Sequence, residues 1–404
     1  MAAGIVKLGQ KNGVGCQMEE KKIENRGILK GFLICVLLVA LIFGGVKIYR
    51  YKHPPKEEVI QQYIERNYLH EVDEQAVDDG KYAGMLAALN DPYTMYYTES
   101  AYTSQKQSND GVYKGIGVVM QENKETGEVI IVRCYGDSPG EQAGLLPGDI
   151  IAQVNGTNVT LDNQDDMIQE IRDSSEVSVH LGIRRDGEES LVEVDLTQAE
   201  INIPYVEHRM LDDNVGYLAM YEFTATTAEQ FQAAMTDLQE QGMEKLIIDL
   251  RSNPGGLLTS VTEILESILP KGLIVYTEDK NGNRQEYSGA GETPLSIPLV
   301  VLVNQYSASA SEIFAGAVKD YELGTLVGMT TYGKGVVQSI IPLGDGTGIK
   351  LTTANYYTPK GTNIDGTGIT PDVEVELDDS IENAVQGDPN TDNQLQKAME
   401  ILGQ

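Results

Sequence analysis

The order of apolar and polar positions divides the chain into stretches of different character. Residues 31–46 read GFLICVLLVALIFGGV, an uncharged run with basic residues on both flanks. Ile28 and Leu29 before it, Ile48 and Tyr49 after it, and snorkelling by Lys30 and Lys47 extend it to about 20 residues, enough to cross a bilayer. No A-x-A-like site follows, since the chain continues VKIYRYK, so an uncleaved anchor over 28–49 is expected in preference to a cleaved signal peptide. The flanking charges are balanced and leave its orientation open. After His53-Pro54-Pro55-Lys56, the residues Val59, Ile60, Tyr63, Ile64, Tyr68 and Leu69 recur at helical spacing, predicting a helix over 57–90 that Asp91-Pro92 ends. From 111 to about 197 the pattern changes to short alternating runs with Gly and Asp turns: GIGVVM, EVIIVRCY, DIIAQVNG, VSVHLGIRR and SLVEVDL. Two helices are expected among them, one after Ser138-Pro139 and one over 163–171.

From Val215 onward apolar strands alternate with longer helices. VGYLAMYEF, LIIDL and PLVVLVN read as strands, the last two continuously apolar and so buried on both faces. The helices between and after them cover 227–241, LLTSVTEILESIL and SEIFAGAVKDY. Such alternation predicts an α/β core. The expected division is a leading segment 1–27, an anchor 28–49, a helical region 57–100, a β-rich domain 101–197, an α/β core 198–378 and a C-terminal helical segment 379–404.

Charge narrows the function classes. The net charge is −31, and the first 56 residues carry an excess of Lys and Arg, so the remainder is more acidic still. A body of that sign repels phosphates, which argues against nucleic-acid binding. Cys16, Cys35 and Cys134 have neither disulfide nor metal spacing, and Cys134 reads as a small core residue. No metal or other cofactor is implied.

The densest chemical signal is SASASEI, 307–313, at a strand-to-helix junction. Ser309 with Glu312 three residues on fits a capping box, yet a serine there also lies in the positive field of a helix N-terminus, which favours an alkoxide-like nucleophile. A nucleophilic serine needs a base. His53, His70, His180 and His208 all lie outside the Ser- and Gly-rich segments, so no Ser-His-Asp triad is visible. Lys334, between two glycines in TYGKGVVQ, is the alternative. A free lysine titrates near 10.4, so burial must lower its pKa before it accepts the serine proton. Gln338, four residues on, would share a strand face with Lys334 but at about 13 Å between α-carbons, so contact needs a bend or long side chains. Asn253-Pro254-Gly255-Gly256 follows LIIDL, and its glycine amides are candidate oxyanion donors with the Ala310 amide.

Two motif matches are set aside. Residues 328–334 approach G-x-x-x-x-G-K, but Gly335 replaces the magnesium-holding Ser/Thr and VVQSIIPL reads as strand. Residues 136–140 match G-x-S-x-G, but Pro139 suits a first helical turn with Ser138 as its cap.

LIIDLRSNPGG, SASASEIFAGAVKD, GKGVVQ and YYTPKGTNIDGTGITPDVEV occur in the order seen in carboxyl-terminal processing peptidases, which the chain closely resembles over 57–404. GIGVVM together with GDSPGEQAGLLPGDIIAQVNG is similar to the PDZ domain of that family, and LNDPYTMYY to the stretch preceding it. The resemblance implies a ClpP/crotonase-like α/β catalytic core behind a PDZ domain, with substrate held as an added strand. It implies Ser309 as nucleophile, Lys334 as general base and Gln338 as the group orienting it. Ala310 and one of Gly255 and Gly256 would form the oxyanion hole. Gly115, Ile116, Gly117 and Val118 would form the loop receiving a substrate's C-terminal carboxylate, with Arg172 sensing bound substrate. Thr362 stands where the family usually has arginine. The expectation is therefore a single-pass, extracytoplasmic serine endopeptidase acting on proteins with free C-termini, its PDZ domain gating activity. A homodimer through 57–90 and 393–402 is implied as well. The competing reading is a membrane-tethered PDZ adaptor with a dead catalytic domain.

Overall fold

The computed structural model describes residues 32–49, 52–173, 178–378 and 386–403. The chain divides into two units, Met1–Gly80 and Lys81–Gln404. Cys16 lies outside the described residues.

In the first unit, Phe32–Tyr49 is an 18-residue helix of mean hydropathy 2.5 with none of its residues buried, long and apolar enough to cross a membrane. Lys56–Asn67 forms a second helix with no buried residue. The single helix expected over 57–90 is two helices. Tyr68 leaves helical geometry at φ −67° and ψ 137°. The helix Glu74–Ala87 then starts afresh, with Asp73 Oδ1 accepting the Ala76 N–H at 3.1 Å. Apolar residues continue across the break, so periodicity alone reads through it.

In the second unit, the segment expected to be β-rich forms an antiparallel sheet of Val118–Glu122, Val129–Cys134, Ile150–Val154, Val179–Arg184 and Val192–Leu196, in that order. Pro139–Gln142 and Gln164–Asp173 are its two helices. Buried Ile131, Ile151, Val154, Leu181 and Ile183 make a separate core. Ser138 caps the first helix, accepting the Glu141 N–H at 3.2 Å, as expected.

The α/β core is a six-stranded sheet in the order Val206–Met210, Val215–Met220, Lys245–Asp249, Leu299–Val303, Thr325–Gly328 and Val373–Glu374, antiparallel only at its first edge. Alternation assigns its two faces. Leu218, Met220, Leu246, Ile248, Val301 and Val303 pack with residues of the helices Thr227–Glu240, Leu258–Ile268 and Ala310–Asp320. Tyr217, Ala219, Ile247, Val300 and Leu302 pack with Leu395, Ala398 and Leu402 of the C-terminal helix Asn393–Gly403. Both faces are covered, which is why these strands read as unbroken apolar runs.

A second sheet is antiparallel and centres on Gly348–Tyr357. Val336–Pro342 pairs along one side of that strand, while Met95–Tyr97 and Gly272–Asp279 share the other. The LNDPYTMYY stretch thus contributes a strand to the core sheets, with Met95 opposite Lys350.

Candidate active site

Ligands of parallel α/β sheets collect outside the carboxyl ends of the strands, because each strand there releases a loop into the same region before the chain turns into its helix. Four neighbouring strands do so here. Glu222 follows Val215–Met220, the Asn253 to Gly256 turn follows Lys245–Asp249, Ser309 follows Leu299–Val303, and Lys334 follows Thr325–Gly328. These segments border one cleft of about 430 Å³, lined by Gly255, Gly256, Ser309, Ala310, Lys334 and Gln338. All six catalytic-core residues singled out in the sequence meet there. None of the histidines lines it.

The three serines of SASAS have different surroundings. Ser307 is fully buried and its hydroxyl donates to the Leu250 carbonyl at 2.7 Å. Ser311, also buried, donates to the Asn253 carbonyl at 2.9 Å. Both fasten the helix entry to the neighbouring loop, and only Ser309 lines the cleft. Its backbone has φ 55° and ψ −113°, a conformation an L-residue keeps only when its surroundings enforce it, at about 1–3 kcal/mol. An ordinary N-cap, the structural reading of Ser309, would sit in the β region instead.

Glu312 supplies the enforcement. It is 0% exposed. One carboxylate oxygen accepts the Ser309 N–H at 2.9 Å and the Lys334 N–H at 2.9 Å. The other accepts the Thr331 hydroxyl at 2.6 Å and the Gly333 N–H at 2.7 Å. Four donors satisfy a carboxylate that would otherwise be costly to bury. The S-x-x-E spacing was the one sequence signal for Glu312, and it spoke only for a helix cap.

The turn Asn253 to Gly256 has a similar rigidity. Asn253 is fully buried, its side-chain amide donating to the Met220 carbonyl at 2.9 Å. Its Oδ1 accepts the Gly255 N–H at 2.8 Å, so that amide is already spent. The Gly256 and Ala310 N–H groups have no hydrogen-bond acceptor among the described residues. Gly255 and Gly256 have φ of 104° and 137°, and a Cβ at Gly255 would lie 2.8 Å from Ser309 Cβ. Only glycine lets this backbone approach the serine.

Lys334 is half-buried, and its ammonium lies 4.6 Å from the centroid of the Tyr93 ring. Burial pulls its pKa below the ordinary lysine value, and the Lys350 charge pushes it the same way. Glu312 and Asp91 act in the opposite direction. The Gln338 side-chain amide donates to Thr352 Oγ1 at 3.3 Å. A register shift between Val337 and Gln338 interrupts simple alternation between Lys334 and Gln338. Tyr93 belongs to a turn organised by Asp91, which accepts the Tyr93 N–H at 3.0 Å and the Thr94 hydroxyl at 2.6 Å. Thr94 Oγ1 then accepts the Thr352 N–H at 3.1 Å. Nothing in the spacing of Asp91 and Tyr93 announced that they would face Lys334.

In the β-rich domain, Gly115 ends the strand Val112–Gly115, Val118 begins the next, and Ile116 and Gly117 join them. The Ile116 carbonyl accepts the Gly140 N–H at 2.8 Å, and the Gly117 carbonyl accepts the Tyr135 N–H at 2.8 Å. Gly117 and the Arg172 charge both lower the Tyr113 phenol pKa. Burial and the neighbouring Tyr135 push the Tyr113 phenol up to about 12, against those two influences.

The chain matches family models for peptidase family S41 over 214–375, for the PDZ domain over 130–185, and for the activating protease CtpB N-terminal domain over 50–101. It is 35% identical to the carboxy-terminal processing protease CtpB of Bacillus subtilis, over 82% of this chain and 69% of that protein. To a carboxyl-terminal-processing protease of Synechocystis it is 38% identical, over 72% of this chain and 69% of the relative. An S41 protease structure from Bacteroides fragilis shares the fold at a TM-score of 0.53 and 19% identity, covering 86% of this chain and 96% of that one. With a PDZ domain ahead of an S41 core whose motifs converge on one cleft, the chain belongs to the carboxyl-terminal processing proteases and is a serine peptidase.

Proposed function

We propose that this peptidase cuts proteins through a Ser309–Lys334 pair, outside the cytoplasm and anchored by the helix Phe32–Tyr49. In this reading Ser309 Oγ attacks the scissile carbonyl while its proton passes to the neutral Lys334 amine. The Ala310 and Gly256 N–H groups receive the developing oxyanion, since the Gly255 N–H is held by Asn253. Lys334 then returns the proton to the leaving amine, and a water activated by the same amine hydrolyses the acyl-enzyme. Gln338 turns from Thr352 toward Lys334 to orient it. Substrate lies as an added strand in the cleft, its C-terminus engaged by the loop 115–118 of the PDZ domain. In this reading two copies pair through the terminal helices, as the resemblance implies.

The observation that carries the reading is that Ser309 and a half-buried Lys334, its pKa lowered by burial, line the same cleft. Ser309→Ala and Lys334→Ala should each abolish cleavage of an unfolded protein while leaving the thermal unfolding transition in place. Full activity in either variant would remove the pair from the mechanism. Anchoring is tested by fractionating cells that express the full chain: the peptidase should stay with membranes in high salt, and removing 1–49 should release it.

A further inference from the structure

Among the described residues lining the cleft, Glu222 is the only carboxylate. It stands just past the carboxyl end of Val215–Met220, where the bridge between Phe223 and Gly256 sets it beside the Asn253 to Gly256 turn, whereas Lys350 belongs to the second sheet and Lys334 to the loop leading into it. Its backbone carbonyl accepts the Thr227 hydroxyl at 2.8 Å. The side chain is half-buried and makes no hydrogen bond or ion pair with any described residue. Burial raises its pKa with no opposing cation. The proposed mechanism gives it no part.

A carboxylate kept in this way is tolerable while water reaches it. A peptide lying in the cleft displaces that water, and the charge is then stranded unless the peptide brings a partner. An acidic residue opposite it meets repulsion, and an apolar one leaves it unpaired. A lysine or arginine meets it directly, at a point removed from the two cleft lysines. We infer that Glu222 is a specificity-determining residue, selecting substrates with a basic side chain at one position near the cleaved bond. The inference rests on the reading that this cleft holds substrate for Ser309.

The test uses the full chain in detergent and fluorogenic peptides of one neutral sequence, carrying a single Lys or a single Glu at each position in turn. At one position the wild type should favour Lys over Glu by about tenfold or more in kcat/KM, the equivalent of about 1.4 kcal/mol. Glu222→Gln should shrink that ratio to within about threefold, and Glu222→Lys should invert it. An unchanged ratio in Glu222→Gln at every position would overturn the inference. Should Glu222→Gln cleave too slowly to measure, binding of C-terminally amidated Lys and Glu peptides to Ser309→Ala and to Ser309→Ala/Glu222→Gln gives the same comparison by anisotropy. Equal affinity ratios in those two proteins would again overturn it. Cleavage surviving in Ser309→Ala would instead reject the reading of the cleft, and the inference with it. The two failures are thereby distinguished.

Discussion

The backbone N–H groups of Ser309 and Lys334 donate to the same oxygen of Glu312, each at 2.9 Å. A single buried carboxylate thus fixes the backbone at both ends of the proposed catalytic pair. Replacing Glu312 by Gln turns one acceptor into a donor facing two donors. The loss should be about 1–3 kcal/mol of stability in denaturant titrations. Under conditions where the variant is fully folded, kcat should fall at least tenfold with a smaller change in KM. A destabilised variant with unaltered kcat would show that Glu312 only holds the fold.

Lys334 titrates below its ordinary value because burial and the Lys350 charge both disfavour the ammonium. The proposed general base works deprotonated, so in that reading kcat/KM should rise with pH through an apparent pKa below about 10.4. Removing the neighbouring charge in Lys350→Met makes protonation easier, and the limb should move to higher pH. Movement to lower pH would contradict the electrostatic account. The linked effect on stability has the same sign. Between the folded and unfolded pKa values the unfolded chain binds the extra proton, so this group's contribution to stability grows as pH rises.

A second buried charge cluster ties the segment entering the Asn253 to Gly256 turn to the C-terminal segment. Arg251 donates to Asp249 Oδ1 at 2.9 Å, to Asp392 Oδ1 at 2.9 Å and to Gln394 Oε1 at 2.9 Å, with all three charged groups buried. Arg251→Met strands two carboxylates and should cost roughly 3–5 kcal/mol in urea unfolding. Burial alone would raise the Asp392 carboxyl, but the bonds and charge of Arg251 hold it below its ordinary value. Its contribution is therefore complete above about pH 3.9 and disappears as pH falls through the lowered folded value. Acid unfolding of Asp392→Asn should lack that component.

Gly115, Ile116, Gly117 and Val118 form the loop that the PDZ reading assigns to a substrate's terminal carboxylate. A peptide with a free C-terminus should bind Ser309→Ala, measured by anisotropy, and Gly117→Pro, which removes one of the loop's N–H donors, should weaken that binding. An amidated peptide should bind weakly to both proteins, and equal binding of free and amidated peptides would exclude carboxylate recognition by the loop.

Much of this was readable along the chain. LIIDL and PLVVLVN announced strands buried on both faces, and Leu246, Ile248, Val300 and Leu302 occupy the two faces their alternation required. The choice of Ser309 within SASAS followed family motif order, and the burial of Ser307 and Ser311 supplies its physical counterpart. The break at Tyr68 was not readable, since extended backbone between two helices leaves no mark on apolar spacing. Glu312 was legible only as a cap, Tyr93 only as part of LNDPYTMYY and Glu222 only as the end of a strand.

The sequence by itself determined the domain types, the alternation of strands and helices, and the residues that could act as nucleophile, base and oxyanion donors. Tertiary structure alone decided which groups were already committed: the Gly255 amide to Asn253, the Gln338 amide to Thr352, and the Glu312 carboxylate to four donors. Periodicity and motif spacing report which way side chains face along a local element. Hydrogen bonds and burial depend on which distant loops the parallel strands release at their common edge, and that is fixed only when the sheet closes.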